Sequence, residues 1–372
     1  MSVAPPAARL ALLRWRPFRL PLRHRFESAT GVLVAREGVL VELHDTDGAS
    51  GIGEASPTAS LGGGERVDVL RLLARHAAAL LAAGDAAASA VADGPGAAAL
   101  RCALDTALLD LAARRRDLPV AALLAERPAS SVLVNAVIGG GTAEEVAAHA
   151  RAATAAGYGV LKLKVGTSDL GHDIDTVAAV RAACPGATLR LDANGAWDEH
   201  TATQAMRRLA LFGVELLEQP VPAAEVEALA RLRVSAPLRI AADEAIASEA
   251  GADRVLALRA ADLLVLKPML LGGPRPALAL AQRAAQRGIG SFATTSFDSS
   301  VGTAAALHLA AALPWDAAQG LGTGDHLAAD LVVEPLRPAG GRLAVRGPGL
   351  GVELDAGALD ALATAPWSEV RA

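Results

Sequence analysis

Val160-Leu161-Lys162-Leu163-Lys164 is a short apolar run broken by two lysines two positions apart, and it is one of eight such runs. The others cover residues 132–138, 188–192, 214–218, 238–243, 263–267, 291–296 and 319–323. Each run after the first ends in a polar or ionisable residue. The anchors Lys164, Asp192, Glu218, Asp243 and Lys267 are 28, 26, 25 and 24 positions apart, the length of one strand, one helix and two short loops. The stretches between are rich in Ala, Leu and Arg at helical spacing, as in 142–156 and 200–211. Thr142 with Glu145 three residues on has the pattern of a capping box. Eight β/α units close into a barrel, and about 200 to 250 residues suffice; 129–345 is the expected barrel domain.

Residues 1–128 differ. Alternating strands are expected over 10–20 and 31–44, then a glycine-rich turn at Gly51 to Gly53, then helices to about Glu126, including the simple stretch 77–92. This reads as a smaller α+β domain. The Arg-rich start (Arg9, Arg14, Arg16, Arg19, Arg23, Arg25) imitates a transit peptide, but its alternation around Trp15, Phe18, Leu20 and Leu22 reads as an edge strand carrying two prolines. The tail, 346–372, is expected to return to that domain after a strand-like 342–346.

Composition narrows the function. The chain has 372 residues, 52% hydrophobic, with 35 basic and 40 acidic side chains and a net charge of −5. A nucleic-acid partner would call for a basic excess or an aromatic and basic stripe, and only 4 Trp, 1 Tyr and 5 Phe are present. Cys102 and Cys184 are far apart with no CxxC or histidine cluster, which fits a reducing cytoplasm and argues against structural zinc. The segment 299–315, ending at Trp315, comes nearest to a membrane span but holds His308 and Pro314. A soluble cytoplasmic protein is expected, and a closed symmetric homo-oligomer if it associates.

Lysine occurs only at 162, 164 and 267, against 32 arginines. Arginine cannot give up its proton, whereas an amine can be tuned into a base, so the two are not interchangeable at a catalytic centre. The three lysines therefore mark the chemistry. In a barrel the carboxyl ends of the strands build the active site, which makes Asp192, Glu218 and Asp243 converge. An acid at a strand end can also cap the next helix, an account that strains over five successive units. Three carboxylates are a hard oxygen set suited to Mg²⁺, with Mn²⁺ as a substitute. Lys162 and Lys164 point to one face of their strand, into the barrel, and Lys267 approaches from the far side of the ring. Lys162 and the cation are expected to lower the pKa of Lys164, poising it as a base for a proton beside a carboxylate.

The segments Leu161-Lys162-Leu163-Lys164, Leu191-Asp192-Ala193-Asn194-Gly195, Glu218-Gln219-Pro220, Ala242-Asp243-Glu244 and Leu266-Lys267-Pro268, with Gly51-Ile52-Gly53-Glu54 near the start, resemble the enolase superfamily, in particular its muconate-lactonizing subgroup. The likeness covers nearly the whole chain. It implies a modified (β/α)7β barrel of the TIM type, capped by an N-terminal α+β domain that the C-terminal tail completes. It also implies Mg²⁺ on Asp192, Glu218 and Asp243 between opposed Lys164 and Lys267, and proton abstraction alpha to a carboxylate through an enediolate. Lys bases with Mg²⁺ are a known pattern in that superfamily. The mandelate racemase branch is disfavoured, because Thr294-Thr295-Ser296-Phe297-Asp298 offers no histidine base.

Within the subgroup the pocket decides. Dipeptide epimerases carry an Asp-x-Asp pair at the eighth strand; here Gly320-Leu321-Gly322-Thr323-Gly324-Asp325 holds one acid. The run 295–302, the 320–324 segment, Pro348-Gly349-Leu350-Gly351 and Arg190 resemble o-succinylbenzoate synthases. That likeness implies a lyase dehydrating 2-succinyl-6-hydroxy-2,4-cyclohexadiene-1-carboxylate in menaquinone biosynthesis, with Lys164 as base and then acid and Lys267 a cation over the ring. Muconate cycloisomerase, dipeptide epimerase and N-acylamino acid racemase are the alternatives. A barrel that has lost catalysis and serves as a binding module is the alternative of another class.

Ser296, Asp298 and Ser299 are expected at the substrate or directly behind the residues that touch it, Asn135 reads equally as a donor to substrate and as a satisfied interior amide, and Asn194 and Glu244 are expected to orient ligands or Lys267. His308 reads as structural, while His24 and His326 fall in segments bordering the pocket. Gly62 to Gly64 and Gly347 to Gly351 lack phosphate-loop spacing and read as turns.

Overall fold

The structure, a computed structural model, describes residues 9–28, 31–235, 237–314 and 317–372; the first eight residues and Trp315 lie outside the described residues. The chain opens with β1 (Leu10–Ser28), β2 (Gly31–Asp45) and β3 (Ser50–Ala55), followed by α1 (Arg66–Ala82), α2 (Ala97–Arg115) and the short α3 (Ala121–Leu124). Leu13, Val39, Val41 and Leu43 are fully buried against Val69, Leu73, Leu100 and Leu104 of the helices. The expected turn at Gly51 to Gly53 is instead β3. Both glycines face α2: a Cβ on Gly51 would lie 2.1 Å from the Ala107 carbonyl oxygen, and one on Gly53 2.0 Å from that of Ala103. Glycine here lets a strand lie directly on a helix backbone. The helix expected over 77–92 stops at Ala82, because Gly84 takes φ 56°.

The barrel follows. Its strands are β4 (Ser131–Leu133) and β5 (Ala136–Ile138), then β6 (Val160–Lys164), β7 (Thr188–Asp192), β8 (Val214–Glu218), β9 (Arg239–Ala242), β10 (Leu263–Leu266) and β11 (Gly290–Ala293). Between them run α4 (Ala143–Ala155), α5 (Leu170–Ala183), α6 (Glu199–Leu209), α7 (Val226–Ser235), α8 (Glu249–Leu258), the short α9 (Pro268–Leu271) with α10 (Pro274–Ala285), and α11 (Ser300–Ala312). The strands from β5 to β11 form one parallel sheet in sequence order. The first and eighth expected strands are shorter than their apolar runs. The first breaks at Val134 and Asn135. The eighth is two residues, Gln319 and Gly320, bridged to Val134 and Thr294, and these bridges close the ring. Asn135 donates its N–H to the Gln319 carbonyl at 3.0 Å, and Gly320 donates to that of Ala293 at 2.8 Å. No helix of the β/α pattern follows, so the architecture is a (β/α)7β barrel.

The tail adds β12 (Arg342–Ala344), α12 (Ala356–Leu362) and β13 (Ser368–Arg371). β12 pairs with β4, whereas β13 pairs with β1, giving a four-stranded sheet in the order β13-β1-β2-β3. β1 is therefore not the edge strand expected. Its prolines sit beyond the Leu12–Trp15 stretch that β13 covers, and their carbonyls accept from Thr364 and Ala328. The arginines mostly find partners: Arg14 pairs with Glu42 at 2.6 Å and lies 4.5 Å from the Trp367 ring centre.

The membrane-like segment is α11, buried along its whole length from Ser300 to Ala311. An all-round apolar helix is what a core position between two layers requires. Its His308 is fully buried, accepts the Ala121 N–H at 3.1 Å, and is pushed by burial down to about 4. Among the described residues no helix is long and apolar enough to cross a membrane.

Candidate active site

Period-two alternation places Leu161, Leu163, Leu189 and Leu191 outward, buried under the helices, and turns Lys162, Lys164, Arg190 and Asp192 into the ring. β6 and β7 are in register at Lys164 and Asp192, and β7 and β8 at Asp192 and Glu218. Their side chains therefore rise side by side. Asp243 directly follows β9 and Lys267 directly follows β10.

Lys162 Nζ lies 2.8 Å from Asp192 Oδ2 and 2.7 Å from Glu218 Oε1. Lys164 Nζ donates to Asp192 Oδ2 at 2.6 Å and to Asn194 Oδ1 at 2.7 Å. Lys267 Nζ is 2.5 Å from Asp243 Oδ1. The three acids are nearly sealed, Asp192 and Glu218 at 1% exposure and Asp243 at 4%. Burial opposes the charge on Lys162, yet Asp192, Glu218 and Asp243 hold its ammonium well above the usual lysine range. Burial pushes Asp192 upward, but Lys162 and Lys164 outweigh it and hold the carboxyl well below the usual range. Glu218 goes the other way, up to about 8, through burial and then the neighbouring charge of Asp192. Glu244 rises to about 7 by burial and the charge of Asp243.

Two buried oxygens, Glu218 Oε2 and Glu244 Oε2, have no hydrogen-bond partner. Four carboxyl groups thus face three ammoniums, with unbonded acceptors left over. No three of the described acid, histidine or cysteine side chains stand grouped as ion ligands, and the lysines lie among the carboxylates. The donor chemistry nevertheless fits a hard divalent cation: three carboxylates from successive strands, one with a free buried oxygen.

The strand ends are set by residues behind these groups. Asn194 takes φ 44°, which asparagine tolerates; its N–H donates to Asp192 Oδ1 at 3.0 Å and its Nδ2 to Glu244 Oε1 at 2.9 Å. Gln219, fully buried at φ 39°, accepts the N–H groups of Asp243 and Ala245 at 3.0 and 3.2 Å through one oxygen. It ties the Glu218 strand end to that of Asp243. The Glu218-Gln219-Pro220 segment carries no sign of this role beyond the place of Gln219 directly after the acid.

A cavity of about 690 Å³ opens above these groups. Its floor includes Lys162, Lys164, Asp192, Asn194, Asp243, Glu244 and Lys267, and Thr294 to Phe297 form one wall. The opposite wall comes from the N-terminal part, at 32–37 and 57–67, including Arg36. Ser296 lines it with an unbonded hydroxyl. The other expected substrate neighbours lie elsewhere. Asp298 is buried 3.6 Å from the Arg36 guanidinium, and Ser299 is bonded to Glu54. Asn135 is buried with neither amide atom bonded and does not line the cavity. Arg190 points into the ring below the floor, donating to Glu215 Oε2 and the Ala318 carbonyl, each at 2.6 Å, with its guanidinium 5.0 Å from the Phe292 ring centre. His326 packs edge-on against Phe297 at 5.5 Å.

A closed barrel with acids and amines gathered at its carboxyl-terminal mouth, under a separate α+β layer, defines a class of acid–base enzymes. Residues 145–358 match the enolase C-terminal domain-like family, and 16–125 match the mandelate racemase / muconate lactonizing enzyme N-terminal domain. The chain is 33% identical to muconate cycloisomerase 1 of Rhodococcus opacus over 93% of its own length and 95% of that protein. It is 36% identical to the o-succinylbenzoate synthase of Thermobifida fusca over 95% and 97%. Among solved structures, muconate lactonizing enzyme from Pseudomonas fluorescens complexed with muconolactone superposes with a TM-score of 0.89 at 28% identity, covering 96% of this chain and all of that one. A dipeptide epimerase from Enterococcus faecalis, complexed with Mg and a dipeptide, gives 0.85 at 26% identity over 93% and 99%.

The chain belongs to the enolase superfamily, in its muconate-lactonizing subgroup. It is an enzyme of the lyase or isomerase/racemase kind that this subgroup contains.

Proposed function

We propose that the chain is a Mg²⁺-dependent o-succinylbenzoate synthase, removing the proton alpha to the ring carboxylate of 2-succinyl-6-hydroxy-2,4-cyclohexadiene-1-carboxylate and then releasing its hydroxyl as water. The observation that carries the acid–base reading is the floor itself: Lys164 and Lys267 on strands four places apart in the ring, with Asp192, Glu218 and Asp243 between them. Mg²⁺ held by those three carboxylates would supply charge neutralisation for the enediolate. Lys164, steered by Asp192 and Asn194, takes the proton, and its protonated form gives it to the departing hydroxyl. Lys267, held by Asp243, keeps its charge against the ring. Burial of the floor keeps bulk water from the carbanionic centre.

Two features favour the synthase over an epimerase. The relative named as such is 36% identical along nearly the whole chain. The sole acid of 320–325, Asp325, turns to Arg337 at 3.4 Å and does not line the cavity, so it offers no anchor for a substrate ammonium. Muconate cycloisomerase is the second reading, favoured by the 33% identical relative and the muconolactone complex; N-acylamino acid racemisation would use the same floor. Two free buried cysteines suit a cytoplasmic setting.

Ultraviolet-monitored dehydration of the cyclohexadiene by purified protein with Mg²⁺, beside Lys164→Ala and an EDTA control, tests the proposal. Fast turnover lost in both controls supports it. No turnover by folded, metal-loaded protein sinks the synthase reading and leaves muconate, dipeptide and N-acylamino acid substrates to be tried.

A further inference from the structure

Glu54, at the end of β3, is 1% exposed and lies outside the floor. Its carboxylate accepts four hydrogen bonds. Oε1 accepts from Ser56 Oγ at 2.5 Å and the Ser299 N–H at 3.2 Å; Oε2 accepts from the Ser299 hydroxyl and, at 3.0 Å, from the Gly302 N–H. Ser299 is the N-cap of α11, so Glu54 caps a barrel helix from another sheet. Gly302 makes room for it: a Cβ there would lie 2.7 Å from the Asp298 Cβ and 3.1 Å from Glu54 Oε2.

Each set of donors leads to one wall of the cavity. Ser299 ends the loop that follows β11, whose Thr294 to Phe297 line one side. Ser56 precedes Pro57 and Thr58 on the other side, and its carbonyl, with that of Pro57, accepts from Arg36, itself a lining residue. Arg36 then faces Asp298 at 3.6 Å and completes the circuit. The floor is held separately, through Asn194 and Gln219.

We propose that Glu54 is a positioning residue for the substrate cavity, fixing the wall after β11 through Ser299 and Gly302 and the facing wall through Ser56 and Arg36. The inference goes beyond the proposed reaction, since it holds for any substrate of this cavity. Asp105 supplies the comparison. It too is a buried acid on the N-terminal part that caps a barrel helix, accepting the Arg275 N–H of α10 at 3.0 Å, but it touches neither wall.

The test compares E54Q, S299A and D105N in the full chain. Glutamine keeps the shape of Glu54 but brings an NH2 group against the Ser299 and Gly302 donors, so one of them loses its acceptor. Walls act on binding and the floor on chemistry, so KM should rise by about 10-fold or more in E54Q with kcat within about 3-fold. S299A, which removes the hydroxyl bond to Glu54 together with the cap that Ser299 Oγ gives the Val301 N–H at 3.0 Å, should move KM the same way by less. D105N should lower the melting temperature and leave KM alone. Hydrogen exchange reads the positioning without any substrate: peptides over 294–303 and 32–40 should exchange faster in E54Q and not in D105N. Unchanged exchange at both walls in folded E54Q, or equal effects from D105N, overturns the proposal. If E54Q does not fold, S299A carries the exchange test alone, and an unchanged 294–303 segment there overturns it. Absence of turnover by wild type counts against the proposed reaction, while the exchange result still decides the role of Glu54.

Discussion

Lys164 and Asp192 are direct partners in the β6–β7 register, and Lys164 Nζ lies 2.6 Å from Asp192 Oδ2. A prospective base and a prospective metal ligand are thus held side by side on adjacent parallel strands. Asp192 is shared with Lys162, so one carboxylate orders both amines of β6.

That sharing makes Lys164 hard to replace by another cation. Lys164→Arg keeps the charge beside Asp192 but cannot release a proton, and Lys164→Ala removes both. Each should lower kcat by about 10² to 10⁴, the usual worth of a positioned general base. Steady-state kinetics on the substrate that wild type turns over checks this. Activity of the arginine variant within a few-fold of wild type would remove Lys164 from proton transfer.

Metal binding can be measured with no substrate at all. Mg²⁺ should raise the melting temperature of wild type in a concentration-dependent way. Glu218→Gln removes an acid that a bound cation would hold ionised, with one of its two oxygens, and should weaken Mg²⁺ binding by at least about 10-fold by isothermal titration calorimetry. Asp105→Asn, remote from the floor, should bind as wild type does. Equal affinities in all three would show that the ion sits elsewhere.

Arg190 should matter for stability and little for turnover. It lies under the floor with its guanidinium against Phe292, opposite Leu216 in the strand register, and with Glu215 as its charged partner. The pair is lopsided: the Arg190 side chain is 2% exposed and that of Glu215 32%. Glu215→Ala strands a buried guanidinium and should cost about 3 kcal/mol, whereas Arg190→Leu strands no charge and lets Glu215 find water, costing about 2 kcal/mol for the shorter side chain and the Ala318 carbonyl left without its donor. Urea denaturation measures both. A larger loss from Arg190→Leu, or a collapse of kcat in that variant while it is folded, would contradict this placement.

The barrel was legible because its signal repeats: three of the eight expected runs, 160–164, 188–192 and 214–218, are strands with the same bounds. Sparse lysine in an arginine-rich chain directed attention to the residues the fold gathers on the floor. What the sequence concealed depends on approach between distant segments. Gly51 and Gly53 read as a turn because nothing local says a helix lies against them. Asp298 and Ser299 follow strand-end logic, but β11 ends at Ala293, and only Thr294 to Phe297 of the loop beyond it line the cavity before Asp298 turns to Arg36 and Ser299 to Glu54; Arg190 faces the ring from within β7, where its partners are Glu215 and the Ala318 carbonyl. β1 looked like an edge because the strand that covers it, β13, comes more than 300 residues later.

Glu54 also gives the protein a proton-linked term in stability. Burial, reinforced by the charge of Asp298, pushes its carboxyl up to about 7, although the Ser299 and Ser56 hydrogen bonds pull downward. The charged or titratable groups about it are Asp298 after β11, Arg36 on β2, and the Cys102 thiol on α2, itself pushed up by burial. A carboxyl whose pKa is higher folded than unfolded binds its proton more tightly in the native state. Its contribution is therefore fully present below about pH 4.5 and is lost as pH rises through about 7. Glu54→Gln cannot titrate. The stability of wild type relative to this variant should accordingly fall between pH 5 and 8, read as the difference in urea midpoint at each pH. A difference that stays flat, or grows with pH, would mean that Glu54 is ionised throughout and that its four donors outweigh its burial.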